Sequence, residues 1–476
     1  MSLQHDRQIR ARDESIASVN TGKGSLCQYG DGDSRAGKIM TCSTRDLPED
    51  IWYHIHSLMP LRDAARAACL SRAFLHSWRC RPNLTLNRDV VLSKEHAYDF
   101  GVNVSHIIDS ILRNHSGTSV KVLKLQLYHI TNHHLGSWLQ VAVTPTIEEL
   151  TVVLCSTCTK MYRFPCSVLS NGVGSSIRHL ELGFCAFHPT AELGPLRNLT
   201  NLSLHYVYIT GDELECFLSN CLALERLELS DCSKIICLKV PCVLQKFSCM
   251  EVNGCWRLRV IESKAPNLSS LNIIGNVKLS LGETLKMKRI SMIRSRALCY
   301  ARSDLPSIMP NLESLGICSS NEEVDTPMLP TRFFYLKHLA ISLIMSSGLD
   351  FSPSYDYLSL VSFLDASPSL ETFILEVSDQ RMEHESVFGG SSDLRQIPEQ
   401  RHYCLKNIKM TGFSSAKSLV ELTCSGDAGS RNRIGCAPQS NNILREATRA
   451  VAAIRMYIED KAHIGDESAS TINVLR

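Results

Sequence analysis

Along most of this chain large apolar residues recur in one unit, apolar-x-x-Leu-x-Leu, with polar residues between them. The unit first reads Val120/Leu123/Leu125, then Ile147/Leu150/Val152 and Ile177/Leu180/Leu182. It continues through Leu199/Leu202/Leu204, Leu224/Leu227/Leu229 and Phe247/Met250/Val252, and six further copies end at Leu405/Ile408/Met410. The alternation inside each Leu-x-Leu pair sends both leucines to one face, which predicts a short strand with one buried side. Middle anchors are 25 residues apart from Leu202 to Leu227, 23 from there to Met250, and 24 from Leu315 to Leu339. The last two steps lengthen to 34 and 35 residues, at Phe373 and Ile408, and the added stretch 346–369 is predicted to be loop.

This period lies in the leucine-rich-repeat range. One repeat cannot bury its leucine face alone, so the copies must stack into a parallel sheet along a curved solenoid over 119–424. Three residues past the second anchor, such repeats place a small polar side chain that bonds neighbouring backbone. That slot holds Cys155, Cys185, Cys232, Cys255 and Asn276, which makes structural thiols of several of the 20 cysteines. Pro266, Pro310 and Pro368, each two residues before a leucine anchor, mark the return turn. Between paired anchors one side chain points outward, and four consecutive repeats read Glu181, Ser203, Glu228 and Glu251 there. With strands roughly 4.8 Å apart these form an acidic row on the concave face, a candidate surface for a basic protein segment.

Residues 43–87 follow the helical period instead. Asp46 and Glu49 make a capping box, with Pro48 in the first turn. Ile51, Ile55 and Leu58 share one face, and Pro60 stops the helix. Asp63 is predicted to cap a small-residue helix over 64–70, and Ser71 a third helix carrying Phe74, Leu75 and Trp78. Under fifty residues is marginal for an independent core, so such a hook must show apolar surface to something else.

This stretch resembles the F-box, the helical adaptor-binding module of SCF-type ubiquitin ligases. The resemblance implies that Leu47, Pro48, Ile51, Ile55, Leu58 and Pro60 meet a Skp-family adaptor and, through it, a cullin. Residues 402–424, HYCLKNIKMTGFSSAKSLVELTC, resemble the FBD-like end region of plant F-box/leucine-rich-repeat proteins. From residue 43 onward the chain as a whole is similar to those proteins. The resemblance implies a substrate-recognition subunit whose repeats hold a client protein while other subunits carry the chemistry. The alternative is a repeat scaffold that binds a partner with no ligase role.

Composition narrows this further. The net charge of +2 excludes a general attraction to nucleic acid or anionic membrane, and no apolar run approaches the length of a membrane span. The N-terminus lacks the apolar core of a secretion signal, so reduced thiols and a nuclear or cytoplasmic location are expected. No phosphate loop or nucleophile elbow occurs. The Cys155-x-x-Cys158 pair lacks a second ligand pair for zinc, and His133 and His134, expected on a strand, diverge. No catalytic residue, metal site or cofactor is therefore predicted.

The expected fold class is α/β: an N-terminal three-helix F-box followed by an irregular leucine-rich-repeat solenoid with helical caps. The expected divisions are a disordered leader over 1–42, the hook over 43–87, a connector and cap helix over 88–118 covering the open sheet edge, the repeats over 119–424, and a loop, cap helix (441–461) and tail over 425–476.

Overall fold

Each of the twelve predicted Leu-x-Leu pairs lies on a strand of one parallel sheet, and no anchor in any copy is more than 7 % exposed. The computed structural model describes residues 48–92, 104–116, 120–127, 132–154, 161–170, 172–190, 193–282, 284–322, 332–344, 355–378, 386, 394–395, 402–412, 416–425, 431–435, 448, 452 and 473–475. The chain divides into two units, Met1–Pro48, in which Pro48 alone is described, and Glu49–Arg476. The leader, Asp46, Leu47, Cys155, Cys158 and all but two positions of the C-terminal cap helix lie outside the described residues.

Among the described residues the sheet has fifteen strands. In chain order these are β1 (Asn83–Asn87), β2 (Val122–Leu127), β3 (Glu149–Leu154), β4 (His179–Gly183) and β5 (Asn201–His205). Then come β6 (Arg226–Ser230), β7 (Cys249–Asn253), β8 (Ser270–Ile274), β9 (Arg289–Ser295) and β10 (Ser314–Ser320). The series closes with β11 (His338–Ile344), β12 (Thr372–Ser378), β13 (Asn407–Thr411), β14 (Arg431–Gly435) and β15 (Asn473–Leu475). Spatial order follows chain order, and register keeps anchor beside anchor: Leu180 by Leu202, Leu202 by Leu227, Leu227 by Met250.

Three of these strands are corrections to the sequence reading. β1 lies inside the stretch assigned to the hook, and its Leu84 and Leu86 are fully buried and paired with Leu123 and Leu125. The apolar slot three residues before Leu84 holds Arg81, which breaks the pattern a periodicity search looks for. The open edge is therefore β1, and the helix Ser105–Asn114, with Ile108 and Leu112 buried, belongs to the connection from β1 to β2. β14 and β15 lie where loop and tail were expected, and β14 puts Asn432 beside Ile408, so half of its pattern is lost.

The return segments are mixed. Some are helices, such as Gly211–Ser219, started by a reciprocal cap between Thr210 and Glu213. Others are short strands, Cys237–Val240, Val260–Ser263 and Lys278–Leu281, which form a second parallel sheet. Part of the insertion expected to be loop is helical at 357–365, because Tyr357, Leu360, Phe363 and Leu364 recur at helical spacing and are buried. The FBD-like block supplies β13 and the helix Lys417–Ser425, one more turn of the same architecture.

The thiol slots are buried at Cys185, Cys232 and Cys255. The Cys232 thiol donates to the Leu204 carbonyl at 3.4 Å, and burial pushes the Cys185 thiol up to about 12. Asn276 is a correction: it is exposed, and Val277 is buried instead. The preceding Gly275 has φ 134°, against 55°, 54° and 61° at the equivalent Phe184, Asp231 and Gly254, and only glycine reaches that conformation readily. His134 lies on the helix Asn132–Ala142, not on a strand as expected.

Candidate functional site

Two surfaces carry the residues singled out in the sequence. The first is the hook, α1 (Glu49–Leu58), α2 (Leu61–Ala68) and α3 (Arg72–Arg79). Pro48 is exposed and directly precedes α1 rather than sitting in its first turn. Pro60 both ends α1 and stands as N-cap of α2, so Asp63 falls within the first turn and is not the cap. There its carboxylate still favours the positive end of the helix dipole. Ser71 caps α3 as expected, its hydroxyl accepting from the Phe74 N–H at 3.2 Å.

The inner side of the hook merges with the repeats. Leu61, Ala64, Ala67 and Ala68 are buried, and Leu61 shares a core with Leu84 and Leu86. Arg81, only 7 % exposed, holds the joint. Its guanidinium donates to the carbonyls of His56 at 2.8 Å, Met59 at 2.6 Å and Ser57 at 3.4 Å, and from Nε to Asn83 at 3.1 Å. One side chain thus satisfies the last carbonyls of α1 and fastens them to the start of β1. Beside it His56 is buried and stacked on Phe74 with ring centroids 5.0 Å apart. Burial, and then the Arg81 charge, lowers the His56 pKa below its ordinary value.

Among the described residues nothing covers the outer side. Ile51 is 40 % and Leu58 72 % exposed, Ile55 is half-buried, and Leu70 just past α2 is 81 % exposed. Leu70, Arg81 and His56 were not read as functional in sequence. Arg81 gives no local signal, because the α1-end carbonyls it binds lie 22 to 25 residues away.

The second surface is the outward row of the sheet. Register lines up Thr151, Glu181, Ser203, Glu228 and Glu251 on β3 to β7. Thr151 donates to Glu181 at 3.1 Å and Ser203 to Glu228 at 3.2 Å, so each hydroxyl fixes a carboxylate. The acids are not equivalent. Glu251 is ion-paired with Arg226, and His205 lies 3.8 Å from Glu181, while Glu228 forms no ion pair among the described residues. At the ends of β4 and β5, Phe184 and Tyr206 stack at 4.5 Å with left-handed backbone. That conformation costs a non-glycine residue about 1 kcal/mol, and the N–H groups use it to donate to the next strand, at 2.9 and 2.8 Å.

Among the described residues no group of three His, Cys, Asp or Glu converges to hold a metal ion, and no helix is long and apolar enough to cross a membrane.

The leucine-rich-repeat domain described as At1g61320/AtMIF1 matches residues 111–425. The FBD-associated F-box protein At1g61320 of Arabidopsis thaliana is 24 % identical over 337 residues, covering 66 % of this chain and 71 % of that protein. The putative F-box/LRR-repeat protein At3g28410 is 31 % identical over 186 residues, 38 % of this chain and 36 % of its own. The putative FBD-associated F-box protein At1g61330 is 22 % identical over 392 residues, 77 % and 84 % of the two; both are from the same plant. With residues 111–425 of its 476 inside that match, the chain belongs to the At1g61320/AtMIF1 leucine-rich-repeat family, among plant F-box/LRR proteins.

Proposed function

We propose that this chain is the substrate-recognition subunit of an SCF-type ubiquitin ligase. The hook docks on a Skp-family adaptor through Leu47, Pro48, Ile51, Ile55, Leu58 and Pro60, and the repeats hold a client. The observation that carries this reading is the two-sidedness of the hook. Its inner side is bolted to the repeats by Arg81 and Leu61, yet Ile51, Leu58 and Leu70 face outward, exposed among the described residues. A mere end cap has no need of that outer apolar surface. The relatives named as F-box proteins support the same reading.

The chain itself performs no bond chemistry in this scheme. It raises the local concentration of a client beside enzymes carried by other subunits. The joint at Arg81 serves that role, because a fixed angle between hook and repeats fixes where the client is presented. The client surface we assign is the row Glu181, Ser203, Glu228 and Glu251, with Glu228 the carboxylate that forms no ion pair among the described residues.

Adaptor pull-down with the full chain tests the reading. Leu47→Ala with Pro48→Ala, or Ile51→Asp with Leu58→Asp, is expected to abolish capture while the melting temperature stays within a degree or two. Full adaptor binding by either variant rejects the ligase role and leaves the scaffold reading. Reversal of Glu228 and Glu251 to Lys is expected to weaken client capture and leave adaptor binding intact.

A further inference from the structure

The turn before most of the described strands carries an exposed position five residues ahead of the middle anchor. On β8 to β13 this position reads Pro266, Leu285, Pro310, Phe334, Pro368 and Tyr403. Leu285 is 69 %, Phe334 56 % and Tyr403 86 % exposed, and Pro310 and Pro368 are exposed as well. Six consecutive repeats therefore place apolar residues along one margin of the sheet, half-buried at Pro266 and exposed from Leu285 to Tyr403. The same position is apolar and exposed at Pro145 on β3 and Leu222 on β6, but Ser175, Arg197 and Gln245 interrupt it on β4, β5 and β7, so a continuous ridge occurs only from β8 onward. Contiguous exposed apolar surface of this kind marks an interaction site.

We propose that this ridge docks an acidic amphipathic helix of a partner protein. Three features select that occupant. The first is charge. The five-residue turns of these repeats hold five cations, Lys286, Lys288, Arg289, Lys337 and Lys406, against two carboxylates, Glu313 and Glu371. Lys288 pairs with Glu313 at 3.0 Å and Lys406 with Glu371 at 2.9 Å, leaving Lys286, Arg289 and Lys337 in excess. The second is the backbone. The N–H groups of Lys288, Glu313, Lys337, Glu371 and Lys406 each donate to the preceding repeat, and three ridge residues are prolines with no N–H. This margin offers no template for an added strand, so a partner must bring a backbone already satisfied, which a helix does. The third is spacing. Repeats about 4.8 Å apart nearly match the helical pitch of about 5.4 Å, so each turn of a helix laid along the ridge meets one repeat. Five steps of that size take about 16 helical residues.

The chain's own helical pattern at 441–461 does not fit the role: it carries Arg445, Arg449, Arg455 and Lys461 against Glu446, Glu459 and Asp460. The ridge is separate from both the hook and the acidic row, so this proposal stands whether or not the ligase reading does.

The test is a library of helical peptides of about 16 residues, leucine on one stripe and glutamate elsewhere, with a matched lysine set, titrated against the full chain by fluorescence anisotropy. Glutamate peptides are expected to bind and lysine peptides not to. Phe334→Ser with Tyr403→Ser is expected to weaken binding about tenfold or more with an unchanged melting temperature, since both side chains are already exposed. Lys286→Glu with Lys337→Glu, which leaves the ridge intact, is expected to reverse the charge preference. The proposal is overturned if no glutamate peptide binds, if lysine peptides bind equally, or if neither variant changes affinity. It is overturned as well if the ridge variants instead abolish only capture by phosphatidylserine vesicles or only self-association in sedimentation.

Discussion

The hook and the repeats are built from the same apolar residue types and treat them in opposite ways. Leu229, in the middle of the sheet, is fully buried between the anchors of β5 and β7, whereas Leu58, at the end of α1, is 72 % exposed. Each repeat finds cover in the next copy of itself, so its leucines need no outside partner. Among the described residues the hook packs on the solenoid, which covers one side of it. The three-helix unit is tied down on its inner side and leaves apolar side chains exposed on its outer side, while the leucine anchors of the repeats are all covered.

The sharpest way to break this contrast is a pair of truncations. Leu229→Ala is expected to cost about 3 kcal/mol, from lost transfer energy and the cavity left in a packed row. Leu58→Ala is expected to change stability by less than about 0.5 kcal/mol, because the side chain is mostly in water already. Chemical denaturation of both variants checks the pair, and a comparable loss at Leu58 would show that the outer face is part of the core after all.

A smaller effect is expected at the joint. Arg81→Ala strands the last carbonyls of α1 and removes a buried cation at once, with an expected cost of about 2 kcal/mol. The damage should be local. Hydrogen exchange is expected to quicken across 49–79 and to stay slow in β4 to β8. Uniform acceleration would mean that hook and repeats unfold as one.

The smallest effect is a pH dependence. Burial, followed by the Arg81 charge, holds His56 below its ordinary pKa, so the folded chain binds fewer protons than the unfolded chain in mild acid. Stability therefore falls as pH drops through about 6.5, where an unfolded histidine takes up its proton, and continues to fall toward the lowered folded value. His56→Phe, which keeps the stack on Phe74, is expected to reduce the loss of melting temperature between about pH 7 and about pH 5. His115 is also lowered by burial and should retain part of the slope. Equal slopes in variant and parent would remove His56 from the account.

Much of this architecture could be read directly from the residues. All twelve marked repeats form strands in the expected register, because alternation and a fixed period are properties of local sequence. The outward row Glu181, Ser203, Glu228 and Glu251 followed from the same counting. What escaped was whatever departed from the period while keeping the packing. β1 went unseen because Arg81 occupies an apolar slot, and the helix at 357–365 because it lies inside an insertion. Asn276 was misplaced because one glycine turns the backbone differently from its counterparts.

Sequence by itself determined that short strands recur, which faces of them are apolar, and that the first helices carry more apolar surface than they can bury. Those are matters of side-chain order and reach no further than a few residues. Only the tertiary structure decided which apolar surface stays open, that Glu251 is neutralised by Arg226 while Glu228 is not, and that Arg81 fastens the hook to the sheet. Each of those depends on residues brought together from more than twenty positions apart, and a chain's local pattern holds no record of which distant group will arrive.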